Sequence, residues 1–145
     1  MQISNRFSVG VHILLSIAAF SGTNKMTSEV LAGSVGVNPV VIRRILGSLK
    51  KAGLVDVTAG TGGANLSRDP EDITLFDVYR AVEPVGDCRL FSMHNRPNLS
   101  CPVGRSIHTL LESHVVEAQK ALERSLSDVK LTDLLRKMLE DPFCS

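Results

Sequence analysis

The chain has 145 residues, of which 43% are hydrophobic, 21% charged and 4% aromatic, with a formal net charge of +1. This suits one folded unit with its own apolar core and excludes a disordered tail, a fibrous repeat or a low-complexity segment. The best candidate for a membrane span, VGVHILLSIAAF, is too short and is broken by Ser16, and a single Arg6 before it makes no cleavable signal, so the expectation is a cytoplasmic protein with no membrane partner.

In chain order, Ser4 can cap a first helix from about Asn5 to Phe20, with Val9, His12, Ile13, Ile17 and Phe20 on one face. His12 on that face reads as a satisfied core residue. Gly22 and Asn24 break the helix, a short one follows from Thr27 to Val35, and Gly36 makes a turn. Asn38 is a good N-cap and Pro39 suits the first helical position, where no N–H is needed. Val41, Ile42, Ile45, Leu46 and Leu49 then recur at helical spacing and predict a buried face, while Arg43, Arg44, Lys50 and Lys51 reach solvent. After Gly53, LVDVT and ANLS read as two short strands joined by the glycine-rich turn AGTGGA. Helix, turn, capped basic helix and hairpin make a winged helix-turn-helix, with the second helix shaped for a DNA major groove and the wing for the adjacent backbone.

A polar connector, Arg68 to Asp72, leads to a capping-box pattern at Thr74 and Asp77 that opens a helix from Leu75 to about Val82. Pro84 and Gly86 end it, and residues 85–100 have no clean period and read as a loop. With Ser100 as N-cap, a long helix runs from about Cys101 to Ser127. Ile107, Leu110, Leu111, His114, Val115, Ala118, Leu122 and Leu126 form a stripe along it. That stripe is too long for one small domain to cover, so it predicts pairing with a second copy, a homodimer. Thr132 is expected to cap a last helix. The fold expected is mainly α with a small β-wing. Residues 1–83 form a winged helix-turn-helix domain, 84–100 a linker with a possible sensor role, and 101–145 the dimerisation and C-terminal helices.

Charge divides along the same line. Residues 1–68 carry seven Lys/Arg against two acids, a net +5, and residues 69–145 carry nine against thirteen, a net −4. A basic half joined to an acidic half suits a polyanion-binding module beside one with another task. Arg43 and Arg44 lie in the first half of the recognition helix, where a guanidinium can bridge guanine O6 and N7. Arg44 is equally readable as a solvated or internally paired charge. Val40 and Val41 suit thymine methyls. Asn38 serves as the cap alone or also touches the DNA, Lys50 suits phosphate or solvent, and Gly60, Gly62 and Gly63 offer backbone N–H groups to phosphates. The partner expected is double-stranded DNA.

These stretches also carry a family resemblance. The start MQISNRFSVGVHILL, the segment SVGVNPVVIRRILGSLKKAGLV, the wing with SRDPEDITLFDVYRAVEP, and CPVG opening the long helix together resemble the IscR-, NsrR- and CymR-like family of winged-helix bacterial repressors over nearly the full length. NPVVIRR, LFSMHNRPN and CPVG look closest to a YwnA-like subgroup. The resemblance implies a homodimer with two DNA-binding lobes, joined by crossed long helices and acting on a near-palindromic operator. Two departures stand out. Cluster-binding members have three closely spaced cysteines before the long helix, whereas Cys88 and Cys101 here flank His94. The family's usual wing-tip arginine is replaced by Ala59. Because an iron–sulfur cluster needs thiolate-rich ligation, no cofactor and no metal site are expected.

Three cysteines in a cytoplasmic protein read as thiols. Cys101, at a helix N-terminus with Arg105 one turn on, favours thiolate and is the candidate redox sensor, with Cys88 or Cys144 to resolve it; three incidental thiols fit the pattern equally well. His108 and His114 are six apart and share no face. The glycines at the wing open no helix and precede no Lys-Ser/Thr, so they form no nucleotide loop. No nucleophile has a base arranged beside it, and the chain is expected not to be an enzyme. The reading is a DNA-binding transcriptional regulator, a repressor with a thiol or small-molecule switch. The alternatives are a metal- or cluster-bearing sensor on the same scaffold, and a winged-helix protein–protein adaptor.

Overall fold

The computed structural model describes residues 5–58, 62–83, 91 and 93–141. In chain order these form α1 (Arg6–Phe20), α2 (Ser28–Val35), α3 (Pro39–Lys51), β1 (Val55–Thr58), β2 (Gly63–Leu66), a 3-10 turn at Pro70–Asp72, α4 (Leu75–Val82), α5 (Pro102–Ser127) and α6 (Leu131–Glu140). The mainly helical chain with a two-stranded wing and a long C-terminal helix matches the fold class read from the sequence. No single described helix is long and apolar enough to cross a membrane.

Helix α1 is the centre of the lobe, touching α2, α3, α4, α6 and β2. Val9, Ile13, Leu14 and Ile17 are buried, so two adjoining faces are used and no single amphipathic stripe results. A Cβ on Gly10 would lie 3.1 Å from the Val78 and Val82 methyls, so this residue lets α4 lie close against α1. His12 Nε2 sits 2.9 Å from Ser34 Oγ and ties α1 to α2, a satisfied histidine as expected. Phe20 departs from its expected buried face and is 51% exposed, because the last turn of α1 runs past the core. Asn5 occupies the N-cap position and makes no side-chain cap bond; Ser4, the expected cap, lies outside the described residues.

The helix-turn-helix follows its local signals. The Thr27 side chain accepts from Val30 N–H at 3.2 Å, and Gly36 closes α2 in the left-handed conformation, φ 82°. Asn38 Oδ1 accepts from Val40 N–H at 2.9 Å, with Pro39 opening α3. Ile42, Ile45, Leu46 and Leu49 are buried. Val41, expected beside them, lies off the edge of that face and is exposed. Gly53, φ 76°, turns the chain out of α3 into β1.

The wing is antiparallel, pairing Val55 with Leu66 through Thr58 with Gly63. Its base is docked on the loop before α2: Ala64 N–H donates to Met26 O at 2.9 Å. Gly63 has φ 74°, and a Cβ there would lie 2.8 Å from Met26 N. Gly63→Ala is therefore strained twice, by backbone conformation and by contact with backbone that cannot swing away. It should destabilise the fold by about 2–4 kcal/mol, read as a lower denaturant midpoint in equilibrium unfolding.

The Thr74–Asp77 capping box forms as expected, with reciprocal bonds of 3.0 and 3.1 Å. Arg68 Nη2 donates to Ala52 O at 3.2 Å, satisfying a carbonyl at the end of α3. In α5, 26 residues long, no residue is buried. The last helix begins two residues earlier than a Thr132 cap implies: Lys130 is the N-cap, its N–H donating to the Asp133 carboxylate at 2.9 Å. Leu131 N–H donates to Ile73 O at 2.8 Å and Leu75 N–H to Val129 O at 3.0 Å, which sets the Leu131 side chain in the core. Helix α6 thereby packs across the expected division between residues 1–83 and 101–145.

Thr132 has a tertiary role, its hydroxyl donating to Glu71 Oε2 at 2.7 Å while Lys130 Nζ donates to Oε1 at 2.8 Å. The bonds from Lys130 and Thr132 hold the Glu71 carboxyl below its ordinary pKa of 4.5, and Glu71 in turn raises Lys130 above 10.5. A depressed carboxyl contributes stability that is present above its unfolded pKa and is lost as pH falls through the folded value; the raised lysine contributes below its unfolded pKa and loses that contribution as pH rises through the folded one. Glu71→Gln should flatten the acid limb of a melting-temperature profile below about pH 4.5 while leaving other carboxylates to titrate. Superimposable acid limbs would remove Glu71 from that dependence.

Candidate nucleic-acid interface

With Ile42, Ile45, Leu46 and Leu49 buried, α3 turns Val40, Val41, Arg43 and Arg44 outward in its first two turns. These are the side chains that a helix presents to a groove. Asn38 spends its carbonyl oxygen on Val40 N–H, which leaves its amide donors outward. Arg44 has no side-chain partner among the described residues; its carbonyl accepts from Ser48 Oγ. Lys50 and Lys51 are exposed in the last turn, where they also complement the negative end of the helix dipole.

Arg43 is not free. Its Nη2 donates to Glu29 Oε1 on α2 at 3.2 Å, both side chains being more than half exposed. Sequence reasoning missed Glu29. The available signal was its rarity, since only Glu29 and Asp56 are acidic in residues 1–68. The pair lies in a cleft of about 490 Å³ between the start of α2, α3 and β1, bounded also by Lys25, Ser28 and Val57. The wing glycines separate in role. Gly63 is buried against Met26, and Gly62 lies so close to Thr58 that a Cβ would collide with that side chain. Gly60 lies outside the described residues, as does Ala59.

The start of α5 is a second built feature. Asn98 Oδ1 accepts from Ser100 N–H at 3.0 Å and Asn98 O accepts from Cys101 N–H at 3.1 Å. A Cβ on Gly104 would run into the Asn98 backbone, so glycine is required for this segment to fold over the first turn. Further along, His108 Nε2 donates to His94 O at 2.8 Å, and the two rings meet edge to face at 5.3 Å. Cys101, expected within the first turn behind a Ser100 cap, is itself the N-cap. The N–H groups of Gly104 and Val103 favour its thiolate and lower its pKa below the ordinary 9.0, without a geometrically complete bond to the neutral thiol; burial works weakly against them. That lowering comes from the backbone and not from the Arg105 side chain. Cys88 and Cys144 lie outside the described residues.

The profile of the Rrf2 family, described as iron-dependent transcriptional regulators, matches residues 3–137. The chain belongs to the Rrf2 family. It is 41% identical over 137 residues to YwnA of Bacillus subtilis, described as an HTH-type transcriptional regulator, covering 94% of this chain and 99% of that protein. A solved structure described as a DNA-binding protein is 37% identical and superposes with a TM-score of 0.70, over 90% of this chain and 98% of that one. CymR, the cysteine regulator of Bacillus subtilis, shares the fold at 21% identity, TM-score 0.67, covering 94% and 98%. This Rrf2-family chain is a DNA-binding transcriptional regulator, and its family and relatives are regulators, not enzymes.

The family description raises the question of iron. Among the described residues no three His, Cys, Asp or Glu side chains converge to hold a metal ion, and His94 and His108 are engaged with each other. Before the long helix the Rrf2 chain offers two cysteines thirteen positions apart. That donor set does not fit a thiolate-bound cluster.

Proposed function

We propose that this regulator binds a near-palindromic operator as a homodimer in the cytoplasm, represses transcription there, and is switched by oxidation of Cys101. Val40, Val41, Arg43 and Arg44 face the major groove, Asn38 and Lys50 flank them, and of the wing glycines Gly62 offers its backbone N–H to phosphate, Gly63 being buried against Met26. The observation that supports the reading most is α5: a 26-residue helix with no buried residue and with Leu110 61% exposed. A helix about 39 Å long cannot leave an apolar stripe in water without cost, and a second copy related by twofold symmetry covers it with the same surface. Two lobes joined this way meet half-sites roughly 34–36 Å apart.

The experiment is selection of bound duplexes from a random pool by the full-length protein, with sedimentation at the same concentrations. A dimer that enriches an inverted repeat, with affinity falling steeply as salt rises, is the expected result. A monomer, or binding that is sequence-indifferent with a shallow salt slope, overturns the reading and leaves an adaptor.

The switch follows from Cys101 at the α5 N-cap. Its thiolate attacks hypochlorous acid or hydrogen peroxide and becomes sulfenic acid, with chloride or hydroxide leaving. A second thiolate, from Cys88 or Cys144 of either subunit, then displaces hydroxide to form a disulfide. Either product disturbs the close packing of Asn98 on Gly104 at the base of the dimer helix. Mild hypochlorite should release the wild-type protein from its selected duplex and leave Cys101→Ser bound. Equal release of both removes Cys101 from the switch.

A further inference from the structure

Within the proposed reading of Arg43, the geometry points to Glu29 as a positioning residue that sets operator specificity by holding the Arg43 guanidinium until a correct base displaces or shares it. The inference rests on that reading. Arg43 and Glu29 meet at 3.2 Å across the two helices of the helix-turn-helix, at the mouth of the cleft shared with Lys25, Ser28 and Val57. Glu29 is one of two acids in a segment of net charge +5. A carboxylate on a surface turned toward phosphates repels them, so on electrostatic grounds alone it weakens binding to any sequence.

The pair has two effects that differ between right and wrong DNA. First, arginine is long and rotameric, and a carboxylate on one Nη limits its conformations while leaving the other N–H donors outward. The guanidinium then meets a base edge already oriented. Second, on DNA lacking the matching guanine, Arg43 remains neutralised by Glu29 and is withheld from nearby phosphates. Both effects raise the ratio of specific to non-specific affinity, a device that works partly by penalising the wrong partner.

The test uses Glu29→Gln in the full-length protein, with the wild-type-selected duplex and a scrambled duplex as probes. Expected are tighter binding to the scrambled duplex and a specific-to-non-specific ratio lower by roughly five- to tenfold. The salt slope on scrambled DNA should steepen by about 0.9 for each phosphate newly neutralised. Base preference in a repeated selection should weaken at the Arg43 positions, and in an Arg43→Ala background Glu29→Gln should leave the specific-to-non-specific ratio unchanged, its relief of phosphate repulsion acting equally on both duplexes. An unchanged ratio and motif overturns the inference, including the case where only the melting temperature falls, which marks Glu29 as a partner of the α2 dipole alone. A loss of ratio that persists without Arg43 also overturns it. In these outcomes wild-type sequence preference stands and the proposed function with it; if the wild type enriches no motif, both fail together.

Discussion

Leu111→Asp is expected to convert the protein to a folded monomer that no longer holds its operator. Leu111 lies in the first half of the α5 stripe and is 40% exposed in the single chain, so the substitution removes nothing from the core of the lobe. In a twofold interface each substitution occurs twice. Burying a leucine contributes about 1.5–3 kcal/mol, so the pair of substitutions costs the dimer about 3–6 kcal/mol before any penalty for burying a carboxylate, or roughly 10²–10⁴ in dissociation constant. Analytical ultracentrifugation should show the mass halved, circular dichroism should show helix content kept, and gel shift should show the complex lost. A variant that stays dimeric and bound places the interface elsewhere.

Arg43→Ala should cost nearly as much in binding and almost nothing in stability. A two-pronged arginine–guanine contact is worth about 1–3 kcal/mol, and two well-separated half-sites add to about 2–6 kcal/mol. The loss of the exposed pair with Glu29 changes folding stability by at most about 1 kcal/mol. Affinity for the selected duplex should therefore fall roughly thirtyfold or more, with the melting temperature nearly unchanged. Titration giving wild-type affinity would remove Arg43 from the readout and move attention to Arg44, whose side chain has no partner among the described residues.

The parts of the fold that were legible in the sequence are those set by neighbours in the chain. Asn38 with Pro39, Gly36 and the Thr74–Asp77 box each complete their bonds within a few residues, and each element starts or stops where these signals place it. One misplaced feature has its partner far away. Thr132 looks like a cap, but its hydroxyl is taken by Glu71, 61 residues earlier, and Lys130 begins the helix. Ser100 looks like a cap, but Asn98 folds back on its N–H and the helix starts one residue later, making Cys101 the N-cap. The exposed face of α3 was legible because helical periodicity leaves Arg43 and Arg44 outside the apolar stripe. Its partner Glu29 was not, because an ion pair between two helices depends on their crossing and no spacing rule predicts that.

Leu131 closes the chain back on its own core. The chain leaves the DNA-reading lobe after α4, travels the whole of α5, and returns to set this leucine among Ile73 and the α1 side chains, hydrogen-bonded to Ile73 on the way. The lobe is therefore not a detachable cassette, since severing the chain anywhere along α5 also pulls the stopper from its centre. The same closure stiffens the junction between α5 and the lobe, since α6 packs on α1 and α1 in turn on α3, leaving no slack joint between them.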